Sequence, residues 1–285
     1  MQLLRKNNMK RVLILFFLIS VVVESNAQDR VFNYVYQSSV LNKGQKELEI
    51  WNTFSFGKDN FYREFSHRLE FEMGLSKNLQ TSFYLNLNTT SEYSIEKKLV
   101  LNNSVVTEQN DTSITTGSEF SFSNEWKYKL SDPVSDNIGS ALYAEIALGS
   151  KEVEFEVKLI LDKQINKFIS SLNLVGVYGL KKELLNGKVK NETEFGAEIN
   201  YGISYQLLKN LHLGIEANCL NGIKNGAIES SVLYAGPVLS LLKDDFWINL
   251  TIFPQIATFA GANTNGLDLI DHSKLETRLL FSYAF

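Results

Sequence analysis

The sequence is poor in cysteine, in proline and in long apolar runs, and each shortage excludes something. The single cysteine, Cys219, can form neither an intrachain disulfide nor, alone, a zinc site. Beyond residue 27 no apolar run approaches the roughly 18 to 20 residues that a membrane-spanning helix needs, which excludes a helical membrane protein. A net charge of -4 argues against nucleic acid as a partner.

What the chain does contain suits a β-sheet that meets two different media. Aromatic residues reach 12%, and only 3 prolines interrupt 285 residues, so long strands are permitted. The mean hydropathy of -0.10 is too polar for a bundle of membrane helices. It is typical of strands whose side chains alternate between lipid and water.

The first 27 residues have the pattern of a secretory signal peptide. Basic residues precede an apolar run at positions 12–23, and small residues follow it up to Ala27, after which we predict cleavage. A membrane anchor is the alternative, but a run of about 12 residues is too short to span a bilayer. Translation could begin at Met1 or at Met9.

The last residues, 275–285, alternate between two kinds of side chain. One side carries Leu275, Thr277, Leu279, Phe281, Tyr283 and Phe285, and the other carries Glu276, Arg278, Leu280, Ser282 and Ala284. Period two predicts a strand. A terminal aromatic residue preceded by apolar residues at two and four positions resembles the signal by which outer-membrane barrels are recognised. We therefore expect two partners, the outer-membrane lipid and the insertion machinery that reads the strand ending at Phe285.

The same alternation recurs along the chain between turn signals. It predicts about twelve strands in residues 45–285, closed into one transmembrane antiparallel up-and-down β-barrel of the all-β class. An even strand count returns both termini to the periplasm. Residues 28–44 are predicted to be a short periplasmic lead-in, and the alternative is that they fold into the lumen as a plug. The polar tracts 90–117, 181–191, 221–229 and 257–271 are predicted to be loops outside the cell. We expect a monomer in the outer membrane of a Gram-negative bacterium.

The inward face of the predicted barrel is rich in acid. The residues predicted to line the lumen are Arg68, Glu70, Glu72, Glu125, Glu145, Glu154, Glu156, Lys158, Glu198, Glu276 and Arg278. Unpaired charge is costly to bury, so these groups line a hydrated channel or pair across a plugged interior. Trp51 also has inward parity, for which the sequence offers no reason.

Catalysis and cofactor binding have little support in the sequence. A serine hydrolase of the outer-membrane phospholipase type needs a histidine placed beside a serine, and the candidates are His67, His212 and His272. None lies in a pattern resembling that family, and three scattered histidines predict no metal site. We expect neither an enzyme nor a cofactor.

Some runs resemble a known family. WKYKLSDP and ALYAEIALGSKEVEFEVKLILDK, within about 126–178, and later YAGPVLS and FWINLTIFPQI resemble outer-membrane barrels associated with the meta-pathway of phenol degradation and similar flavobacterial transporter-like barrels. The resemblance implies movement of small, aromatic or hydrophobic compounds across the outer membrane. The resulting hypothesis is a channel or uptake protein for small solutes with an acidic, hydrated lumen. The alternative is a non-conducting barrel that presents its loops.

Overall fold

The computed structural model describes residues 30–102, 105–185, 187–224, 226–261 and 266–285, which form a closed barrel of twelve antiparallel strands. The strands are β1 (Lys46–Phe56), β2 (Tyr62–Gly74), β3 (Leu79–Asn102), β4 (Val105–Ser131), β5 (Gly139–Gly149), β6 (Glu152–Ile165), β7 (Phe168–Leu185), β8 (Lys188–Leu208), β9 (Leu211–Lys224), β10 (Ala227–Leu242), β11 (Phe246–Ala260) and β12 (Leu275–Ala284). In the described part of the chain, no helix is long and apolar enough to cross a membrane.

The terminal strand closes the wall. β12 pairs with β1 from Ala284 opposite Glu47 to Leu275 opposite Phe56, and it pairs with β11 on its other side. The backbone N–H of Phe285 donates to the carbonyl of Lys46 at 3.0 Å. Each strand therefore has two partners, so the backbone groups of the wall are paired, as a hydrocarbon surrounding requires. The predicted twelve-stranded barrel is confirmed.

The outside of the wall is apolar. Leu85, Leu142, Ile199 and Ile252 expose 46, 50, 51 and 48% of their surface. In water such a continuous apolar belt would promote aggregation. Against lipid, the exposure of these side chains carries no free-energy penalty. Tyr128 and Tyr283 add exposed rings near one end of the wall, where an aromatic girdle is expected.

The two ends of the barrel differ in how far the hairpins extend beyond the bilayer. At one end the turns are short, such as 75–78 between β2 and β3 and 209–210 between β8 and β9. At the other end β3 and β4 continue for 24 and 27 residues, far beyond the roughly 9 to 11 residues that cross a bilayer. Short turns mark the periplasmic end, and the extended hairpins are extracellular.

Three of the predicted loops are wrong. Residues 90–117 belong almost entirely to β3 and β4, 181–191 mostly to β7 and β8, and 221–229 mostly to β9 and β10. The hydrogen-bonded ladders between these strands continue because the backbone groups pair whatever the side chains are. The two-residue alternation ends there because a hairpin that projects beyond the membrane meets water on both faces.

The predicted signal peptide, 1–27, lies outside the described residues. Of the predicted lead-in, 28–44, residues 30–41 occupy the inside of the barrel, and we call them the lumenal segment. Val31, Phe32 and Val35 are fully buried there and share a core with Trp51 and Tyr143 of the wall. The segment forms no strand, so its sequence shows no periodicity that could have placed it.

Candidate functional site

The lumenal segment is held by polar side chains that point inward from the wall. The N–H groups of Tyr34 and Val35 donate to Glu216 Oε1 at 2.7 and 3.1 Å, and Tyr36 N–H donates to Asn173 Oδ1 at 2.6 Å. Buried backbone groups require such partners. Because the segment has no neighbouring strand to supply them, the side chains of the wall do.

Further anchors come from around the ring. Ser38 N–H donates to Asp162 Oδ2 at 3.0 Å and Leu41 N–H to Gln80 Oε1 at 2.9 Å. Side chains of the wall also donate to the backbone of the segment: Ser240 Oγ donates to the carbonyl of Val31, and Asn249 Nδ2 donates to the carbonyl of Arg30. In the other direction, Asn33 Nδ2 of the segment donates to Thr251 Oγ1. The donors and acceptors lie on β3, β6, β7, β9, β10 and β11. The segment is therefore tied to most of the barrel circumference.

Aromatic rings and cations form a layer at the level of the segment. Tyr34 stacks on Phe253 with ring centroids 4.2 Å apart, and Arg278 lies 3.8 Å above the Tyr34 ring. Lys158 lies 4.0 Å from the centroid of Tyr36. Cations over ring faces are favourable when they are shielded from water. This layer separates the two ends of the lumen.

Trp51 now has a reason for facing inward. Its indole N–H donates to Glu49 Oε2 at 2.6 Å, and Arg30 of the lumenal segment lies 4.6 Å from its ring. A buried tryptophan needs such a partner for its single donor.

Above the layer lies an extracellular cavity of about 720 Å³. Tyr34, Tyr36 and Trp51 contribute to its lining at the level of the segment. Toward the mouth lysines and glutamates are paired, Lys151 with Glu119 at 2.5 Å among them. A volume of this size accommodates a small molecule with part of its hydration.

Below the layer lies a second cavity of about 480 Å³, open toward the periplasmic turns. Val31, Gln37 and Leu41 of the lumenal segment line it from above. At its rim Asp132 accepts a hydrogen bond from Lys129 Nζ at 2.6 Å, which lowers the pKa of that carboxyl. The segment is thus the partition between the two cavities.

The residues predicted to line the lumen divide into two groups. The extracellular cavity is lined by Arg68, Glu145, Glu154, Glu156, Lys158, Glu198, Glu276 and Arg278. The remaining three, Glu70, Glu72 and Glu125, are 1, 4 and 0% exposed and lie beneath the segment rather than in the open cavity. Glu125 is hydrogen-bonded by the phenol of Tyr84.

Sequence reasoning missed the residues that hold the segment, above all Glu216, Asn173 and Asp162. One signal was available. The inward positions of β7 to β9 include small or uncharged residues such as Ser171, Asn173 and Gly202, which suit a wall that contacts protein rather than bulk water. A Cβ on Gly202 would lie only 2.8 Å from the Phe32 ring.

The three histidines lie apart. His67 packs on Phe65 with ring centroids 3.7 Å apart, His212 is buried near a periplasmic turn, and His272 lies in the segment before β12. Burial lowers the pKa of His272. These positions on separate elements bring no two histidines into one constellation.

A closed strand wall with an apolar exterior, a polar interior and short turns at one end defines an outer-membrane β-barrel. The chain belongs to DUF6662, a family of unknown function, whose model matches residues 24–285. No curated protein matches the sequence.

Solved barrels share the fold. The COG4313 outer membrane channel from Pseudomonas putida F1 is 10% identical, with a TM-score of 0.53, covering 90% of this chain and 100% of that one. The NanC porin is 9% identical, with a TM-score of 0.52, covering 83% and 98%. The KdgM porin is 10% identical, with a TM-score of 0.50, covering 84% and 99%. At these identities the likeness establishes the architecture of a Gram-negative outer-membrane barrel.

Proposed function

We propose that this protein is a channel or uptake protein for small polar solutes, which enter the extracellular cavity and pass when the lumenal segment moves aside. The observation that carries the proposal is the pair of cavities, about 720 and 480 Å³, separated by that segment. The strand wall runs continuously past both cavities, so displacement of one segment would join them. The solved channel and porins of the same fold support this reading.

The charge of the extracellular cavity favours cations and neutral solutes. Its lining carries seven acids against six bases. The acids are Glu119, Glu145, Glu152, Glu154, Glu156, Glu198 and Glu276, and the bases are Arg68, Lys151, Lys158, Lys181, Lys182 and Arg278. Lys158 is paired with Glu156 at 2.8 Å. The excess of carboxylate in a confined, low-dielectric space attracts positive charge and repels anions.

A second candidate is a closed barrel that presents its extended hairpins to the cell exterior. The observation that favours it is the number of anchors on the lumenal segment, since backbone groups of Tyr34, Val35, Tyr36, Ser38 and Leu41 are all bonded to the wall. Conductance separates the two candidates. A channel gives discrete current steps across a planar bilayer, and a closed barrel gives none.

Charge reversal at the cavity should change ion selectivity. Replacing Glu154→Lys together with Glu156→Lys converts the seven acids and six bases of the lining into five acids and eight bases. A unit charge about 4 Å from an ion in water is worth roughly 1 kcal/mol, or about fivefold in partitioning. The cation-to-anion permeability ratio, measured from reversal potentials in a salt gradient, should fall from above one to below one.

The matched control carries the same change of charge outside the cavity. Glu192→Lys with Glu229→Lys alters two carboxylates near Lys224 on the extracellular hairpins, and its selectivity should equal that of the unmodified chain. Current steps whose selectivity does not respond to the cavity variant would contradict the acidic pathway. Absence of steps from a correctly folded barrel would contradict the channel itself.

The other parts of the proposal follow from the wall. We propose that the barrel is a monomer and that β12, ending at Phe285, is the strand read by the insertion machinery.

The sequence resemblance to barrels of the phenol-degradation meta-pathway adds small aromatic compounds to the proposed solutes. Tyr34, Tyr36 and Trp51 offer ring surface in the cavity to such compounds. Passage is passive, and no chemical step is assigned to the chain.

A further inference from the structure

Four glutamates form two directly opposed pairs on β1 and β2, on the inner wall beneath the lumenal segment. Glu47 lies opposite Glu72, and Glu49 lies opposite Glu70. The four side chains are only 1 to 4% exposed. Like charges directly opposite one another destabilise a sheet, and buried charge is costly unless it is neutralised. This arrangement requires that the carboxylates be neutralised, either by protons or by positive charge.

The protein supplies too little of it. Arg30 of the lumenal segment lies near Glu49, Glu70 and Glu72, and Lys127 lies near Glu47. Arg68 lies near Glu70 as well, but it is shared with Glu145, which is 4.0 Å away on another strand. Two cations and a share of a third beside four carboxylates leave an excess of negative charge.

The geometry of the carboxylates fits one metal ion. One oxygen from each of Glu47, Glu49 and Glu72 lies within 4.8 Å of the other two. Oxygen ligands of Ca²⁺ lie about 2.3 to 2.6 Å from the ion, so two ligands are at most about 5 Å apart. Zinc prefers nitrogen and sulfur, and Mg²⁺ usually keeps several waters, so a buried donor set made only of carboxylate oxygens favours Ca²⁺.

Unpartnered oxygen atoms point to a ligand independently of the charge count. Within the described chain, Glu47 Oε2 and Glu70 Oε2 are buried and have no hydrogen-bond partner. The Glu70 carboxyl lies close to that of Glu72, which places it at the edge of the three-residue group. Buried acceptors are almost always satisfied, so these two require a partner.

Donors on the opposite oxygens hold the carboxylates in place. Trp247 Nε1 donates to Glu47 Oε1 at 2.7 Å, and Trp51 Nε1 donates to Glu49 Oε2 at 2.6 Å. Each indole occupies one oxygen of its carboxylate and leaves the other for an ion. Such outer hydrogen bonds are typical of carboxylates that ligate metals.

We propose that Glu47, Glu49 and Glu72, with Glu70 beside them, bind one Ca²⁺ ion on the inner wall beneath the lumenal segment. The ion offsets the excess of negative charge. It joins β1 to β2 close to the seam where β12 closes the barrel, since Ser282 of β12 is hydrogen-bonded to Glu47. The proposal does not rest on conduction, because none of the four glutamates lines the extracellular cavity and its tests measure ion binding.

Terbium luminescence tests the site in the full chain folded in detergent. Tb³⁺ occupies Ca²⁺ sites and emits when a nearby indole is excited, and two of the 3 tryptophans bond to the proposed ligands. Sensitised emission should appear below about 1 mM Tb³⁺ and be displaced by Ca²⁺. Glu72→Gln should weaken binding on the order of tenfold or more.

Two controls locate the ion. Trp51→Phe with Trp247→Phe should abolish the sensitised emission, because Trp126 lies on the outer face of the wall. Glu119→Gln with Glu192→Gln and Glu229→Gln, three carboxylates outside the group, should bind as the unmodified chain does. Emission that survives the double tryptophan replacement, or that is unaffected by Glu72→Gln, would overturn the proposal.

A measurement on the unmodified chain tests the site even if the Glu72→Gln variant fails to fold. An ion that binds only the folded barrel raises its thermal unfolding temperature as the Ca²⁺ concentration rises. The unmodified chain should therefore unfold at a higher temperature in millimolar Ca²⁺ than in a chelator, and more so than in Mg²⁺ at equal ionic strength. An unfolding temperature that is the same in all three solutions would overturn the proposal.

Discussion

Deleting residues 30–41 should turn small or infrequent current steps into large, steady ones. The deletion removes the partition between the two cavities while leaving all twelve strands intact. An eight-stranded barrel is filled by its own side chains, and a twelve-stranded barrel is wider, so its unobstructed lumen should raise the step conductance on the order of tenfold. The measurement is single-channel current in planar bilayers, with strand content checked by circular dichroism.

Replacing the same residues with a glycine and serine sequence of equal length is the matched control. This variant keeps the chain length but removes Phe32, Tyr34 and Tyr36, whose rings pack against the wall. We expect noisy currents with frequent wide openings, since a flexible segment still occupies the lumen part of the time. Equal conductance in the deletion variant and the unmodified chain would show that the segment does not close the lumen.

Glu216→Ala should release the middle of the lumenal segment. One carboxylate oxygen accepts from the N–H groups of Tyr34 and Val35, and the other accepts from Thr251 Oγ1 at 2.8 Å. Leaving a buried donor unpaired costs about 1 to 3 kcal/mol, so two unpaired N–H groups weaken attachment by roughly 2 to 6 kcal/mol. Amide hydrogen exchange across residues 30–41, followed by mass spectrometry, should accelerate on the order of tenfold or more.

The conservative variant Glu216→Gln separates this role from general damage. Its amide retains an oxygen that can accept from Tyr34 and Val35, so most of the protection of residues 30–41 should return. Exchange in the β1 to β12 ladder should be the same in both variants, because that ladder contains neither Glu216 nor its wall partner Thr251. Unchanged protection of the segment in Glu216→Ala would refute the anchoring role.

The strand wall was predictable wherever one face meets lipid and the other meets the lumen. β12 shows this well, since Leu279 and Phe281 are exposed on the outside while Leu280 and Ser282 are buried inside. Two different media impose period two on the sequence. Where β3 and β4 project into water, both faces accept polar residues, so the alternation disappears although the ladder continues.

The lumenal segment was not predictable from periodicity because its bonds are made to side chains that are distant in sequence. Tyr36 and Asn173 are 137 residues apart, and Tyr34 and Glu216 are 182 apart. Its composition nevertheless carried a hint. Val31, Phe32, Tyr34, Val35 and Tyr36 are too apolar for a linker in the aqueous periplasm, and a buried position accounts for them.

The inward charges illustrate a similar limit. Strand parity indicates which way Glu70 and Glu154 point, but it does not indicate whether each one meets water. Contact with water depends on the position of the lumenal segment. Glu154 lines the extracellular cavity, whereas Glu70 is buried beneath the segment. Burial inside a barrel is a property of what fills it as well as of the wall.

Thiol labelling tests most directly whether the lumenal segment closes the barrel. In a Cys219→Ser background, Val35→Cys places a thiol where the native side chain is 0% exposed, and Ser150→Cys places one on an exposed extracellular turn. A membrane-impermeant maleimide should label Ser150→Cys rapidly and Val35→Cys at least about a hundredfold more slowly, since labelling requires local opening. Equal labelling rates at the two positions in folded, membrane-inserted protein would contradict the account.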